Sequence, residues 1–444
     1  MPNVLLIMSD EHNPFVSSVH GHQAVRTPNM ERLAGRGTVY ENTYCPSPLC
    51  MPSRSAFMSG RRVHEIQCYS NCNAEVDPSV RSYGAALADQ GVHTAYIGKT
   101  DVYAPGETLG FSEMMMPGDR RTPGDTNHRR TPLSIREGSA ERANGYGPRE
   151  ENHHDEHCVD RAIEWLRSRP LELDQPWVLT VNVTNPHFPH RPPPDLWDIY
   201  EGEGDLPDHG SECDSANHPY ARDLRDHFET DQFNEEQIRG LRRGYLGCVS
   251  YVDRQLGRLL DALCACGFED ETDVIYTSDH GEMLGKFGMW WKCTLYEDSV
   301  RVPCIAAGPS FSHAQNVTTP VNLLDVQAAI FATTGAERPT DWTGEPLQAI
   351  RAHDADRPVF SEYHGHGTRA SAYMIRRGPW KYLHYVDAPH QLFHLAEDPD
   401  ELNNLYEEQK SVAGEMESAL REICSPEEES CRAERFIEQQ LEAI

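Results

Sequence analysis

Along most of the chain, short apolar runs alternate with stretches whose apolar residues recur every three to four positions. Val4–Met8 is an unbroken apolar run and predicts a buried strand. In Thr27–Gly37 a Thr-Pro pair precedes Met30 and Leu33, and Gly37 closes the stretch, so a helix capped by Thr27 is expected. Ser79–Gly91 predicts a second helix and His93–Gly98 a strand. Asp155–Arg169 carries Val159, Ile163 and Leu166 on one helical face, and Trp177–Thr184 is rich in β-branched residues, as a strand would be. Gly244–Gly267 predicts a long amphipathic helix, and Asp273–Glu282 an apolar strand that runs into charged residues. This alternation predicts an α/β fold: a large, mostly parallel sheet sandwiched by helices. In such sheets chemistry gathers just beyond the carboxyl ends of strands. Asp10, Glu11, Lys99, Asp101, His187, Asp279 and His280 all fall there.

The pattern changes near residue 345. RPVFSEYHG and AYMIRRGPWKYLHYV predict strands of an antiparallel sheet with a turn at Arg377–Pro379, and a polar helix is expected over about 411–422. The expected division is 1–345, an α/β domain carrying the chemistry, and 346–444, a smaller C-terminal α+β subdomain. Asp119–Arg149 is rich in Pro and Gly and locally basic. It reads as an exposed loop pairing its charges with neighbours, or as a lid over an anionic substrate.

Composition narrows the function. The formal net charge is −30, which disfavours nucleic acid and anionic membranes as partners. Mean hydropathy is −0.64, and no stretch approaches the roughly 20 apolar residues of a membrane span. The N-terminal apolar run lacks a basic lead-in and reads as a strand rather than a signal peptide, so a cytoplasmic location is expected. The 13 cysteines form no paired framework, so free thiols are expected.

Asp10-Glu11 and Asp279-His280 each follow an apolar strand, and carboxylates with one imidazole suit a hard divalent cation. Lys99 and Lys292 sit in apolar surroundings, where a lysine either reaches out to water or holds an anion. His187 lies in a Pro-stiffened loop. Each feature alone also fits an ordinary strand end. Cys50, in SPLCMPSRSAFMSG, has no histidine nearby in sequence to activate it.

That segment resembles the signature of the type I sulfatases: Cys-x-Pro-Ser-Arg, a short apolar stretch, then Ser/Thr-Gly. PNVLLIMSDE, TPNMERLAGRGTVYENTY, GVHTAYIGK, NPHFP, SYVDRQLGRLLDAL, TSDHGEMLGKFGMWWK, YEDSVRVPCIAAGP and QLFHLAEDPDELNNL resemble further segments of that family, in order over nearly the whole chain. The Cys50 segment, YSN at Tyr69–Asn71 and EYHGHGT at Glu362–Thr368 lean towards its choline-sulfatase and phosphonate monoester hydrolase branch.

The resemblance implies a sulfuric ester hydrolase in which a formylglycine-generating enzyme oxidises Cys50 to formylglycine. It implies one divalent cation, Ca2+ before Mn2+ or Mg2+, held by Asp10, Glu11, Cys50, Asp279 and His280. Arg54 would orient the aldehyde hydrate, Lys99, Lys292 and His187 would bind the ester, His187 would protonate the leaving oxygen, and Asn71 would contact the hydrate. Where many members have Lys-x-His, this chain has Lys99-Thr100-Asp101, so Asp101 is the candidate base for regeneration. The hydrate needs two hydroxyls, one to attack sulfur and one to expel sulfate, and a serine offers only one. The expected substrate is a small or saccharide sulfate ester. The alternatives are a phosphonate monoester or phosphodiester hydrolase with the same nucleophile, and an unmodified anion-binding protein. Specificity is expected in the loops 119–152, 191–232 and 363–370. A homo-oligomer is possible through the polar C-terminal tail.

Overall fold

The computed structural model describes residues 1–150 and 153–444. Glu151 and Asn152, the end of the first expected specificity loop, lie outside the described residues.

Among the described residues the main sheet has eight strands. Their order is Gln315–Val317, Gly37–Tyr40, Cys304–Ala307, Thr272–Ser278, Asn3–Asp10, Trp177–Pro186, His93–Gly98 and Glu113–Met115. Only Cys304–Ala307 runs antiparallel to its neighbours. Asn3–Asp10 is central, in parallel register with Thr272–Ser278 and Trp177–Pro186. Helices cover both faces: Leu5 and Ile7 join the core with Val252, Leu256 and Leu263, while Val4, Leu6 and Met8 face the opposite core. Burial on both faces is why this strand reads as an unbroken apolar run rather than an alternating one.

Local boundaries depart from the sequence reading where side chains act across the fold. The first helix spans Pro28–Gly35, but Thr27 does not cap it. The Asp253 carboxylate does, accepting from the backbone N–H of Asn29 at 3.0 Å and of Met30 at 2.8 Å. The second expected helix shrinks to Tyr83–Ala88, capped by Ser82. The long helix starts earlier than expected, at Glu235, behind an Asn234–Gln237 capping box, and runs to Ala265.

The C-terminal strands Pro358–Tyr363, Ala372–Arg377, Trp380–Tyr385 and Gln391–His394 form an antiparallel sheet. Helix Lys410–Arg421 covers it. The tail does not reach outwards. Helix Pro426–Glu442 folds back on the chain: Ala433 packs with Ala56, Val63, Tyr69 and Leu324, and Arg432 Nε donates to Tyr69 Oη at 2.9 Å. All 13 cysteines are free thiols. Among the described residues no helix is long and apolar enough to cross a membrane.

Candidate active site

Four strand ends deliver the site. Asp10 ends the central strand and Glu11 follows it, Asp279 and His280 follow Thr272–Ser278, Lys99 follows His93–Gly98, and His187 follows Trp177–Pro186. At Gly98 φ is +91°, and a Cβ would lie 2.1 Å from the Asn182 carbonyl oxygen. Only glycine lets the chain turn there so close to the neighbouring strand.

Cys50 is the first residue of helix Cys50–Ser59 and is fully buried. Pro52 fits the first turn because it needs no N–H there. Asn71 Oδ1 accepts the otherwise unpaired Met51 N–H at 3.0 Å, so the expected contact residue also fixes the start of this helix. One turn on, Arg54 donates from Nε to Asp279 Oδ2 at 2.7 Å and from Nη1 to Asn182 Oδ1 at 2.9 Å. Ser53 Oγ donates to the Asp279 carbonyl at 2.6 Å. The Pro-Ser-Arg frame therefore ties the Cys50 helix to the Asp279 strand end.

Donor atoms of Asp10, Cys50, Asp279 and His280 all lie within 4.8 Å of one another, and His280 Nε2 is 3.2 Å from Cys50 Sγ. Asp10, Glu11 and His187 form a second such group. Glu11 thus adjoins the expected ligand set from the His187 side. Asp10 Oδ1 is buried with no hydrogen-bond partner among the described residues, and Glu11 adjoins the buried carboxyl of Glu282, which burial and Glu11 push well above its ordinary range. Open lone pairs on buried carboxylates are costly unless a cation or water takes them. The donors fit a divalent cation. With a thiol at residue 50 the set is mixed; with an oxygen there it becomes the oxygen-rich set that Ca2+, Mg2+ and Mn2+ favour.

The cations above this cluster are paired. Lys99 Nζ donates to Asp10 Oδ2 and lies 3.5 Å from Asp101 Oδ2. Lys292 Nζ donates to Glu11 Oε2 at 3.0 Å and meets His187 Nε2 at 2.7 Å. His187 Nδ1 faces the Phe188 carbonyl at 2.7 Å, so the proton of the neutral ring sits on Nδ1 and Nε2 accepts from Lys292. Burial would raise the Cys50 thiol, but Lys292, Lys99 and His280 outweigh it and hold it well below an ordinary cysteine. Burial lowers His280, but Asp279 and Cys50 overcome it and raise the imidazole to about 9. Burial pushes Asp10 up, and Lys99 more than reverses it. At Asp279 burial prevails over Arg54, and the carboxyl stays raised.

Asp101 accepts both guanidinium arms of Arg120, at 2.9 and 2.7 Å, with φ at +51°. A base at this place would first have to release Arg120.

The cluster opens into a cleft of about 520 Å³. Its walls include Arg120, Asp125, Arg136 and Arg142 from 119–152, Phe228 from 191–232 and His366 from 363–370, so each expected specificity loop contributes. Sequence reasoning did not single out these residues or Trp291. The arginine excess in 119–149 was the visible signal. Among the described residues, Arg120 and Arg136 of this segment pair with Asp101 and Asp125, and the same loop walls the cleft.

Known proteins match this chain over most of its length. The Sulfatase family profile matches residues 2–336, and the N-sulphoglucosamine sulphohydrolase C-terminal profile matches 285–425. Choline-sulfatase of Rhizobium meliloti is 32% identical over 91% of this chain and 82% of its own length. Arylsulfatase K of Homo sapiens is 26% identical over 99% of this chain and 85% of its own. Two solved structures share the fold with a TM-score of 0.76 and 22% identity. One is a complex with its substrate D-glucosamine-2-N,6-O-disulfate, covering 95% of this chain and 97% of that one. The other is the phosphonate monoester hydrolase of Agrobacterium radiobacter, covering 95% of each chain. With the family profile spanning three quarters of the sequence and the cysteine frame built into the floor of the cleft, this chain belongs to the sulfatase family of sulfuric ester hydrolases.

Proposed function

We propose that the protein hydrolyses a sulfate monoester of a saccharide or small alcohol, with residue 50 as the nucleophile after conversion to formylglycine. The observation that carries this reading is the position of Cys50: at a helix start, inside the Asp10–Asp279–His280 cluster, with Lys99 and Lys292 acting on it.

A divalent cation, Ca2+ in our reading, would be held by Asp10, Asp279 and His280 with Glu11 and residue 50 beside them, and supplies positive charge and an acidified hydroxyl. Formylglycine, once installed by a generating enzyme, supplies a pair of hydroxyls on one carbon. The chain's own groups do the rest. Lys99 and Lys292 bind the sulfuryl oxygens and offset charge that grows as the ester bond breaks. Arg54 fixes Asp279 and so the floor on which residue 50 stands. When Lys292 turns to the sulfuryl oxygens, His187 takes up a second proton at Nε2 and gives it to the leaving oxygen, while Nδ1–H stays on the Phe188 carbonyl. Glu11 Oε2, 3.2 Å from His187 Nε2, stabilises the protonated ring. We assign Asp101 a positioning role, fixing Arg120 and Lys99. Asn71 holds the start of the Cys50 helix and lines the cleft beside the hydrate.

The same cradle suits any tetrahedral oxyanion, so the test is a comparison of rates. Protein co-produced with a formylglycine-generating enzyme should cleave 4-nitrophenyl sulfate with a higher kcat/KM than phenyl phenylphosphonate. The reverse order would transfer the site to phosphonate esters.

A further inference from the structure

Beyond the sulfuryl-binding lysines, the cleft wall carries a cation that the reaction does not use. Arg142 is half-buried, and its guanidinium lies over the rings of Phe188 at 5.3 Å and Trp291 at 5.2 Å. Its neighbours Arg120 and Arg136 have carboxylate partners in Asp101 and Asp125. Among the described residues, no hydrogen-bond acceptor and no carboxylate within ion-pairing distance meets Arg142. Aromatic rings beneath a guanidinium take none of its N–H groups as a carboxylate would, and so leave them for an anion in the cleft. Burial, then the like charge of Arg136, brings its pKa down to about 10, the direction expected of a cation with no counter-ion. The other charged walls of the cleft are basic except Asp125, and Arg136 takes that carboxylate.

We propose that Arg142, seated over the edge-to-face pair Phe188 and Trp291, is a subsite for a second anionic group on the alcohol half of the substrate, a carboxylate or a further sulfate. The substrate class is then an acidic sulfate ester, not a cationic one such as the ester named by the choline-sulfatase relative. The subsite refines the hydrolase reading and rests on it only for the identity of the cleaved group.

Binding is measured on Cys50→Ser protein in the presence of Ca2+, so that no turnover enters. The probes are 3-carboxyphenyl sulfate and a counterpart neutral only at the second group, 3-(hydroxymethyl)phenyl sulfate, titrated by calorimetry. The carboxylate ester should bind about tenfold tighter, as a charge-assisted bidentate contact predicts. Arg142→Gln in the same background should erase that difference and leave the hydroxymethyl ester unchanged, and Arg142→Lys should keep part of it. Equal affinities for the two esters, or a preference that survives Arg142→Gln, would overturn the subsite. If converted wild-type protein hydrolyses neither ester while binding still discriminates, the subsite stands and the hydrolase reading falls.

Discussion

Two buried ion clusters, one at the cleft and one under the C-terminal sheet, are built from the same residue types and differ in completeness. Glu297 receives Lys381 Nζ at 2.9 Å and Tyr44 Oη at 3.0 Å, with Arg376 and Arg301 each 3.5 Å away. Lys381 in turn lies 2.7 Å from Glu401, whose Oε2 accepts the Glu297 N–H at 2.7 Å. Here the protein answers its own charges: even Glu401 Oε1, which makes no hydrogen bond, lies 2.7 Å from Lys381 Nζ. In the cleft, Asp10 keeps one oxygen open, Glu11 faces a second carboxyl in Glu282, and Glu11, Asp101, Trp291 and Cys293 hold positive φ angles although none is glycine. A closed cluster ties the C-terminal sheet to the main body; an open and strained one is arranged for something the chain does not supply.

Substitutions should separate the two. Cys50→Ser should lower sulfate-ester turnover by at least about 10⁴-fold, since it removes the nucleophile, while urea unfolding moves by less than about 1 kcal/mol. Lys381→Met should do the opposite. It strands Glu297 and Glu401 and should cost about 3–5 kcal/mol in urea unfolding, with activity per folded molecule retained.

Ligands sharpen the contrast further. Ca2+ at about 100 times its Kd should raise wild-type stability by about 2.7 kcal/mol, and Asp10→Asn should abolish that rise while Lys381→Met keeps it. An undiminished rise in Asp10→Asn would place the cation elsewhere.

Acid should act on the closed cluster through Glu297, alongside other lowered carboxyls such as Asp10 and Glu362. Burial raises the Glu297 carboxyl, but Lys381 leads the cations that bring it to about 2, below its ordinary 4.5. A lowered folded-state value means stability present above pH 4.5 and lost as pH falls towards 2. Melting temperature should therefore drop across that window, and drop less in Lys381→Met.

Much of this was legible in the sequence, for reasons particular residues show. The strand Val4–Met8 needs no partner to be recognised, because burial on both faces writes itself as an apolar run. The Cys50 frame was legible through its resemblance to the family signature, and the fold shows what its Ser53 and Arg54 do: each is committed to Asp279. What the sequence hid was set by contacts far along the chain. Asp253 caps a helix some two hundred residues earlier, and no local pattern announces that. The start of the long helix was missed because Glu235–Arg243 is polar and partly exposed, without the apolar period that marked its later turns. Asp101 resembled a free base by position, and only the fold brings Arg120 onto it. Arg142 is one arginine among several in a loop, singled out by the two rings beneath it.

The central claim is that residue 50 is the nucleophile only after conversion, and peptide mass spectrometry across Ser47–Arg54 tests it most directly. Protein made together with a formylglycine-generating enzyme should yield this peptide with an aldehyde or its hydrate in place of the Cys50 thiol. A peptide that keeps the unmodified thiol under those conditions would contradict the account and leave the cleft an anion-binding site without a nucleophile.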